Sequence, residues 1–466
     1  MNELLTAMKS EWVVLAAVFL LLVIRLGRGL PNGVLLPVVQ LLLLAGIVTS
    51  LLGNTSTSLF GNMFRTTPLI GFQKAVLTTA VYLVTLLFPD WFRKTEHLTE
   101  FLVLMLCSLL GMFLMLSSGN LLMFFLSLEL GTIPVAALAN FDLERKRSAE
   151  AAMKLILSSA FSSGILLFGI SLVYGTTGSI DFAGLSQAID GSPLQTLAFV
   201  FLFGAFAFKL SVVPFHLWTA DVYEGAPMPV TVYLSVVSKG AIAFVFAGIL
   251  YQTFGKLKDN WYLMLFATSV ATLLIGNLFA LRQDNIKRFL AFSSIAQVGF
   301  MLVALSGHSP SSVAAVTFFV LVYVFSNLAA FGVASIIAEQ SGAEDISGYR
   351  GLARREPMLA WVMALSLFSL AGVPPVAGFF GKWFLLGAGA SSGNHALILF
   401  AALNMIVSLF YYLKWVRAMF MEPTDIEARG RLNVDPPLRF GLLLCSAAIV
   451  LLGLFSWIYE YVRQLS

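Results

Sequence analysis

The sequence predicts an all-α integral membrane protein of about 14 transmembrane helices, on three observations. Hydrophobic residues make up 59% of the 466 positions, 41 of them Phe, and the mean hydropathy is +0.90. Charged residues make up 11% of the chain, against roughly 25% in soluble globular domains. The apolar residues fall in runs of about 20, the length a helix needs to cross a bilayer. This composition excludes a soluble enzyme, a disordered chain and a nucleic-acid binder. A net charge of +4 over 50.7 kDa is too small to indicate an anionic partner. Cys107 and Cys445 both sit in apolar runs, which excludes a disulfide framework and a Cys-ligated metal.

The runs cover approximately 12–26, 34–52, 68–88, 98–118, 120–139, 150–174, 194–218, 228–250, 262–281, 289–306, 311–338, 357–390, 395–420 and 437–459. They must be helices, because backbone groups facing lipid have to be satisfied within their own segment. The first run lacks an A-x-A site and is followed by Arg25 and Arg28, so it is expected to be retained rather than cleaved as a signal peptide. The loops are short, leaving no room for a separate soluble domain. Loops after odd-numbered helices carry 18 Lys and Arg, among them Arg28, Arg429 and Arg431, and the opposite side carries 5. The positive-inside rule then places both termini outside the cytoplasm.

Five lysines remain, inside the apolar runs: Lys74, Lys154, Lys209, Lys239 and Lys382. Glu129 is the one acidic residue deep in a run. An insertion scale puts a charge at a helix centre at roughly +2.5 to 3.5 kcal/mol. Glu129, Lys209 and Lys239 lie near the middle of their runs, out of reach of a headgroup. Lys74 lies within about two turns of a helix end and is expected to snorkel. Lys154 is similarly placed and reads equally as anchor or relay. A structural alternative treats the deep charges as braces, but four lysines and one glutamate cannot all pair off. Ionisable residues lining a wet path account for them better. Lysine suits proton transfer because desolvation lowers its pKa from about 10.4 while a nearby carboxylate raises it. His216 and the hydroxyls of Ser211, Ser235 and Ser238 could assist. Glu129 and Lys209 are expected to touch, within the ~3–6 Å over which pairing shifts a pKa strongly.

Two runs are interrupted. The seventh contains Pro214 five residues after Lys209, and the twelfth contains AGVPPVAGFFGKW, whose Gly and Pro residues precede Lys382. Proline breaks the helical ladder, and freed carbonyls are tolerated at that depth only against protein or water. The breaks lie five helices apart, as two five-helix repeats, helices 4–8 and 9–13, would place them. The implied organisation is 1–97 for helices 1–3, 98–260 and 261–420 for the repeats, and 421–466 for the last helix. A GxxxxGK[ST] loop is absent, and His97, His308 and His395 lie in loops or at helix ends. No redox or hydrolytic centre is evident, so any pumping draws on an ion gradient or a partner.

The segments FKLSVVPFHLWTADVYEGAPMPVTVYLSVVSKGAIAF (208–244), GNLFALRQDNIKRFLAFSSIAQVGFMLVAL (276–305), LSLELGTIPVAALANF (126–141) and LAGVPPVAGFFGKWFLL (370–386) are recognisable. They resemble the subunit N (subunit 2 type) family of respiratory complex I, the proton-pumping NADH:quinone oxidoreductase. DVYEGAP is characteristic of that subunit among its antiporter-like sisters. The resemblance implies a membrane-arm subunit related to Mrp-type cation/proton antiporters, in a bacterial inner membrane beside sister antiporter-like subunits. It implies that Glu129, Lys154, Lys209, Lys239 and Lys382 carry protons, and Lys287 also matches a family lysine as an accessory, while reading equally as a positive-inside anchor. It also implies no cofactor in this chain, with flavin, iron–sulfur clusters, NADH and quinone held by partner subunits. The rival expectations are an Mrp-type antiporter subunit and a non-transporting scaffold.

Overall fold

The computed structural model describes residues 2–27, 30–53, 55–420 and 432–466. Arg28, Arg429 and Arg431, counted in the charge asymmetry, lie outside them. The chain is almost wholly helical. Its long helices, numbered by span, are α1 (Lys9–Leu26), α2 (Asn32–Leu51), α3 (Pro68–Leu87), α4 (Leu98–Leu116), α5 (Leu121–Ala139) and α6 (Lys146–Thr177). Then come α7a (Pro193–Leu210), α7b (Leu217–Gly225), α8 (Met228–Gln252), α9 (Lys258–Leu281), α10 (Ile286–Ser306) and α11 (Pro310–Ser341). The last are α12a (Pro357–Ala371), α12b (Ala377–Ala390), α13 (His395–Phe420) and α14 (Pro436–Leu454). Among the described residues, 12 helices are long and apolar enough to cross a membrane. A two-stranded antiparallel hairpin, Thr57–Leu59 with Phe64–Thr66, joins α2 to α3.

Local chemistry sets the helix starts. Thr67 accepts a hydrogen bond from Ile70 N at 3.2 Å, and Pro68 occupies the first turn of α3, where its missing N–H costs nothing. Asn120 caps α5 by accepting from Met123 N, and Asn285 caps α10 by accepting from Lys287 N and Arg288 N.

The same two asparagines mark a repeat. Asn120 forms a bridge to Asp181 just beyond α6, and Asn285 forms one to Asp345 just beyond α11. Both α6 and α11 have 32 residues. Helices α4–α8 therefore correspond to α9–α13. Because five is odd, the second unit runs in the opposite direction through the membrane.

Both breaks fall where the sequence predicts, but each splits its helix more fully than expected. The seventh run, expected to reach 218, ends its first helix at Leu210 on Ser211, whose φ is 65°. A non-glycine residue in that region costs roughly 1–2 kcal/mol. The twelfth run, 34 residues long, becomes two short helices separated by Gly372, at φ 85°, and the residues up to Val376. Helices α8, α10 and α11 form the centre of the bundle, and α10 is buried on every side. Just before Lys239, a π-helical turn, Leu234–Ser238, interrupts α8. Such turns are short insertions that frequently sit at functional positions.

Candidate functional site

Three groups of polar side chains lie along the bundle. The first is at the end where α6, α7b and α10 meet. There Lys154 donates to Asp221 Oδ2 and pairs with Glu150 Oε1, both at 2.7 Å. Arg288 pairs with Asp221 at 3.0 Å and Glu224 at 2.7 Å. Lys287 is buried and lies 3.2 Å from Glu344. The acids of the DVYEGAP segment therefore neutralise the lysine of α6 and the arginine of the NIKR segment. Burial pushes the Asp221 carboxyl up, but Lys154 and Arg288 outweigh it and hold it below the ordinary carboxylate range. The Glu344 carboxyl is likewise pushed up by burial and brought down further by Lys287 and Asn285. Lys154 is half-exposed in this cluster. Lys287 is a buried ion-pair partner rather than a solvated anchor.

The second group contains Glu129 and Lys209. Among the described residues no ion pair within 4 Å joins them, which excludes the close end of the expected ~3–6 Å range. Lys209 Nζ instead donates to Ser159 Oγ at 2.6 Å, and Glu129 accepts from Ser163. Ser159 and Ser163 are one turn apart on α6, a rise of about 6 Å. Lys209 is buried, whereas Glu129 is half-buried. The serines were missed by the sequence reading, although SSAFSS repeats hydroxyls at helical spacing within an apolar run.

The third group runs from Lys239 to Lys382. Lys239 Nζ donates to Ser294 Oγ at 2.9 Å and lies 5.3 Å from the Tyr223 ring centroid. The adjacent Ser293 hydroxyl is 2.5 Å from the Tyr412 hydroxyl. Gln297 Nε2 donates to Tyr412 Oη at 3.1 Å and to Leu370 O at 3.0 Å. Lys382 Nζ donates to the same Leu370 O at 2.7 Å and to Ala371 O at 3.2 Å. Those carbonyls end α12a, where the break leaves them without helical partners. The lysine ammonium satisfies them at the partly negative end of the half-helix. SSIAQ of α10 thus serves both lysines, Ser294 holding Lys239 and the Ser293–Tyr412–Gln297 group meeting Lys382 at Leu370 O, with no hydrogen bond between Ser293 and Ser294 among the described residues. Ser293 and Gln297, at i and i+4, share one face of α10.

Between Lys209 and Lys239 no hydrogen-bonded chain is present among the described residues, and aromatic groups fill part of this gap. The Phe208 and Trp218 ring centroids are 5.4 Å apart, and Trp218 Nε1 donates to Phe208 O. His216 is buried near this gap, with Nδ1 unpartnered. Ser211 accepts from Thr219, and Ser235 accepts from Asn327 of α11. Ser238 makes no side-chain bond that ties it to these groups.

Lys74 overturns its expectation. It does not snorkel: it is 2% exposed, with Nζ 2.5 Å from Oε1 of Glu11, which is 3% exposed. Glu129 is accordingly not the sole buried-segment acid, because Glu11 lies at the start of α1 and the fold covers it.

Residues 118–408 match the family described as NADH:quinone oxidoreductase/Mrp antiporter, TM. The NADH-quinone oxidoreductase subunit N of Phocaeicola vulgatus is 47% identical over 407 residues, 86% of each chain. A chain in the solved structure of respiratory complex I from Thermus thermophilus with bound aureothin superposes with a TM-score of 0.82. It is 28% identical, with 96% of this chain and 98% of that one covered. A chain of the Mrp complex from Dietzia sp. superposes with a TM-score of 0.86 at 23% identity, covering 99% of this chain and 96% of that one, a likeness of fold.

Proposed function

The chain belongs to the NADH:quinone oxidoreductase/Mrp antiporter membrane family, and from that premise we propose that it is the proton-translocating subunit N of an NADH:quinone oxidoreductase. Quinone reduction in partner subunits drives it. The flavin, iron–sulfur clusters, NADH and quinone belong to those partners, and this chain holds no redox group. Its neighbours are the other membrane subunits, the antiporter-like sisters above all.

The observation that carries the reading is the set of buried polar side chains that α10 places beside both lysines: Ser294 accepts from Lys239, and Ser293, Gln297 and Tyr412 form a hydrogen-bonded group that meets Lys382 at Leu370 O. A brace needs two opposite charges in contact. Here, among the described residues, neither lysine has a carboxylate in contact: Lys239 donates to a hydroxyl and Lys382 to backbone carbonyls. Protons enter at the Lys154–Asp221–Arg288 cluster. Glu129 and Lys209 act as a switchable pair through the α6 serines. Lys239 links the two repeats, 98–260 and 261–420, and Lys382 serves the release side. The 18-to-5 distribution of basic residues supports termini outside the cytoplasm of a bacterial inner membrane.

The test is Lys239→Ala in the intact complex. Electron transfer from NADH to quinone and assembly should persist while vesicle acidification per electron falls by roughly tenfold or more. Unchanged acidification would remove the relay role. Co-purification with flavin and iron–sulfur subunits separates this reading from an Mrp-type antiporter subunit.

A further inference from the structure

The relay makes no use of the surface where α9, α11 and α13 end. A cavity of about 970 Å³ opens there, and its wall includes Arg350, Lys414 and Arg417 together with Phe410 and Leu413. Three segments build it. Ile286 N donates to Glu344 O and Ile346 N to Asp284 O, which ties the α9–α10 turn to the segment after α11. Gly351 N donates to Ala418 O at 3.3 Å, and the Tyr349 and Trp415 rings meet edge to face with centroids 5.1 Å apart. These contacts seat the loop of Arg350 on the end of α13.

The charges of this wall are not balanced within it. Three cations stand against two carboxylates, Asp284 and Asp345, which leaves one net positive charge. Lys414 is neutralised by Asp284 at 2.9 Å. Arg350 and Arg417 are exposed, and among the described residues neither makes a side-chain hydrogen bond or ion pair. A guanidinium is a planar fork of donors that grips a phosphate through two parallel hydrogen bonds.

The deeper part of the wall is apolar. Phe410, Leu413, Lys414 and Arg417 follow at i, i+3, i+4 and i+7, so they share one face of α13. Leu399, Leu403 and Ile406 continue that face, and all five apolar side chains are exposed, Phe410 by 68%. From Leu399 to Leu413 the apolar stripe runs about 21 Å at 1.5 Å per residue, beyond the ~15 Å half-thickness of a hydrocarbon core. The face is therefore basic at the membrane surface and apolar through the depth of one leaflet. An apolar helix laid over it would strip water from two unpaired guanidiniums, which is strongly unfavourable.

We propose that the cavity binds one anionic phospholipid of the surrounding bilayer. Its phosphodiester sits between Arg350 and Arg417, and an acyl chain follows the Phe410 face of α13. A singly charged headgroup matches the net charge of the wall, whereas a zwitterionic one brings an ammonium to a wall that is already positive. The site does not depend on the proton path and stands or falls without it.

The experiment uses the intact complex in vesicles of equal phosphatidylglycerol and phosphatidylcholine content, with a photoreactive diazirine on the acyl chain of one lipid or the other. Mass spectrometry of the α13 peptide after illumination reports which lipid lay against it. The anionic probe should label the Phe410 face in preference, and Arg350→Gln and Arg417→Gln should each reduce that preference by about fivefold, the factor a basic residue contributes beside charged lipid. The double Gln variant should label equally with both probes, and the double Lys variant, which keeps the charges, should retain most of the preference. Both arginines are exposed, so every variant should assemble as wild type does on a native gel. Equal labelling of the wild type by the two probes, or a preference that survives the double Gln variant, overturns the proposal. So does a face that neither probe labels, the result if a sister subunit covers it. Loss of anionic labelling in excess inorganic phosphate would assign the arginines to the free ion and overturn it as well.

Discussion

Lys209 and Glu129 are both bonded to α6: the Lys209 ammonium donates to Ser159 Oγ at 2.6 Å, and Glu129 accepts from Ser163 one turn away. A pair held apart in this way can exchange between direct and serine-mediated contact by side-chain rotation alone. The serines then set how strongly the carboxylate acts on the lysine. A hydrogen bond to a charged group contributes about 1.5–3 kcal/mol. Ser159→Ala should therefore slow vesicle acidification by about tenfold, each factor of ten being about 1.4 kcal/mol. Ser159→Thr, which keeps the hydroxyl, should restore most of the rate. Equal rates in all three proteins would remove Ser159 from the path.

Lys382 tests whether its proton moves. Its ammonium sits on Leu370 O and Ala371 O and 4.6 Å from the Phe300 ring centroid. A fixed positive charge would serve the half-helix carbonyls as well as an exchanging one. Lys382→Ala should cut pumping while the complex still assembles. Lys382→Arg should do nearly as badly, because arginine stays protonated. Acidification normalised to electron transfer measures both, and full pumping by the arginine variant leaves Lys382 as an electrostatic brace.

The twelfth-helix break depends on close backbone approach. A Cβ on Gly378 would lie 1.7 Å from Ser369 O, whereas one on Gly387, farther along α12b, meets nothing within 4 Å. Gly378→Ala should abolish assembly of the complex on a native gel. Gly387→Ala should be neutral or stabilising by up to about 1 kcal/mol, the helix propensity difference.

The inlet cluster carries a pH signature. The Asp221 carboxyl lies below its unfolded value of about 3.9 because Lys154 and Arg288 outweigh burial. Its contribution to stability is then complete above about pH 4 and fades as pH falls through the depressed folded value. The melting-temperature difference between wild type and Asp221→Asn should be constant from pH 7 to 5 and shrink only below about pH 4. A difference present at pH 7 and already lost at pH 5 would show that the Asp221 carboxyl is raised rather than depressed in the folded protein.

Topology can be read by labelling. Ser56 and Ser347 are exposed and Ser192 is half-buried. Cysteines at Ser56 and Ser192 should react with an impermeant thiol reagent applied from outside the cell, and one at Ser347 should not. The reverse pattern would invert the protein in the membrane.

The spans, the two breaks and the central lysines were legible because each is imposed by the solvent. Lipid requires about 20 apolar residues with a self-satisfied backbone. Proline at positions 214, 374 and 375 removes helix donors wherever the helix packs. A lysine such as Lys239 or Lys382 inside such a run stands out against its neighbours. The five-helix spacing of the breaks likewise anticipated the repeat that the Asn120–Asp181 and Asn285–Asp345 bridges display.

Partnership was decided by the tertiary structure alone. A span that is apolar on all sides, as α10 and α11 nearly are, carries no sign of which face turns inward, so SSIAQ reads as ordinary polar punctuation until Tyr412 and Lys382 arrive beside it. Lys74 reads from the sequence as a residue near a helix end, free to reach water. The fold buries Lys74 against Glu11, 63 positions away, with the Phe64 and Phe113 rings beside the ammonium. Hydropathy reports the transfer of one segment into lipid, whereas the cost of a buried charge depends on the atoms that replace its water, and those come from helices distant in the chain.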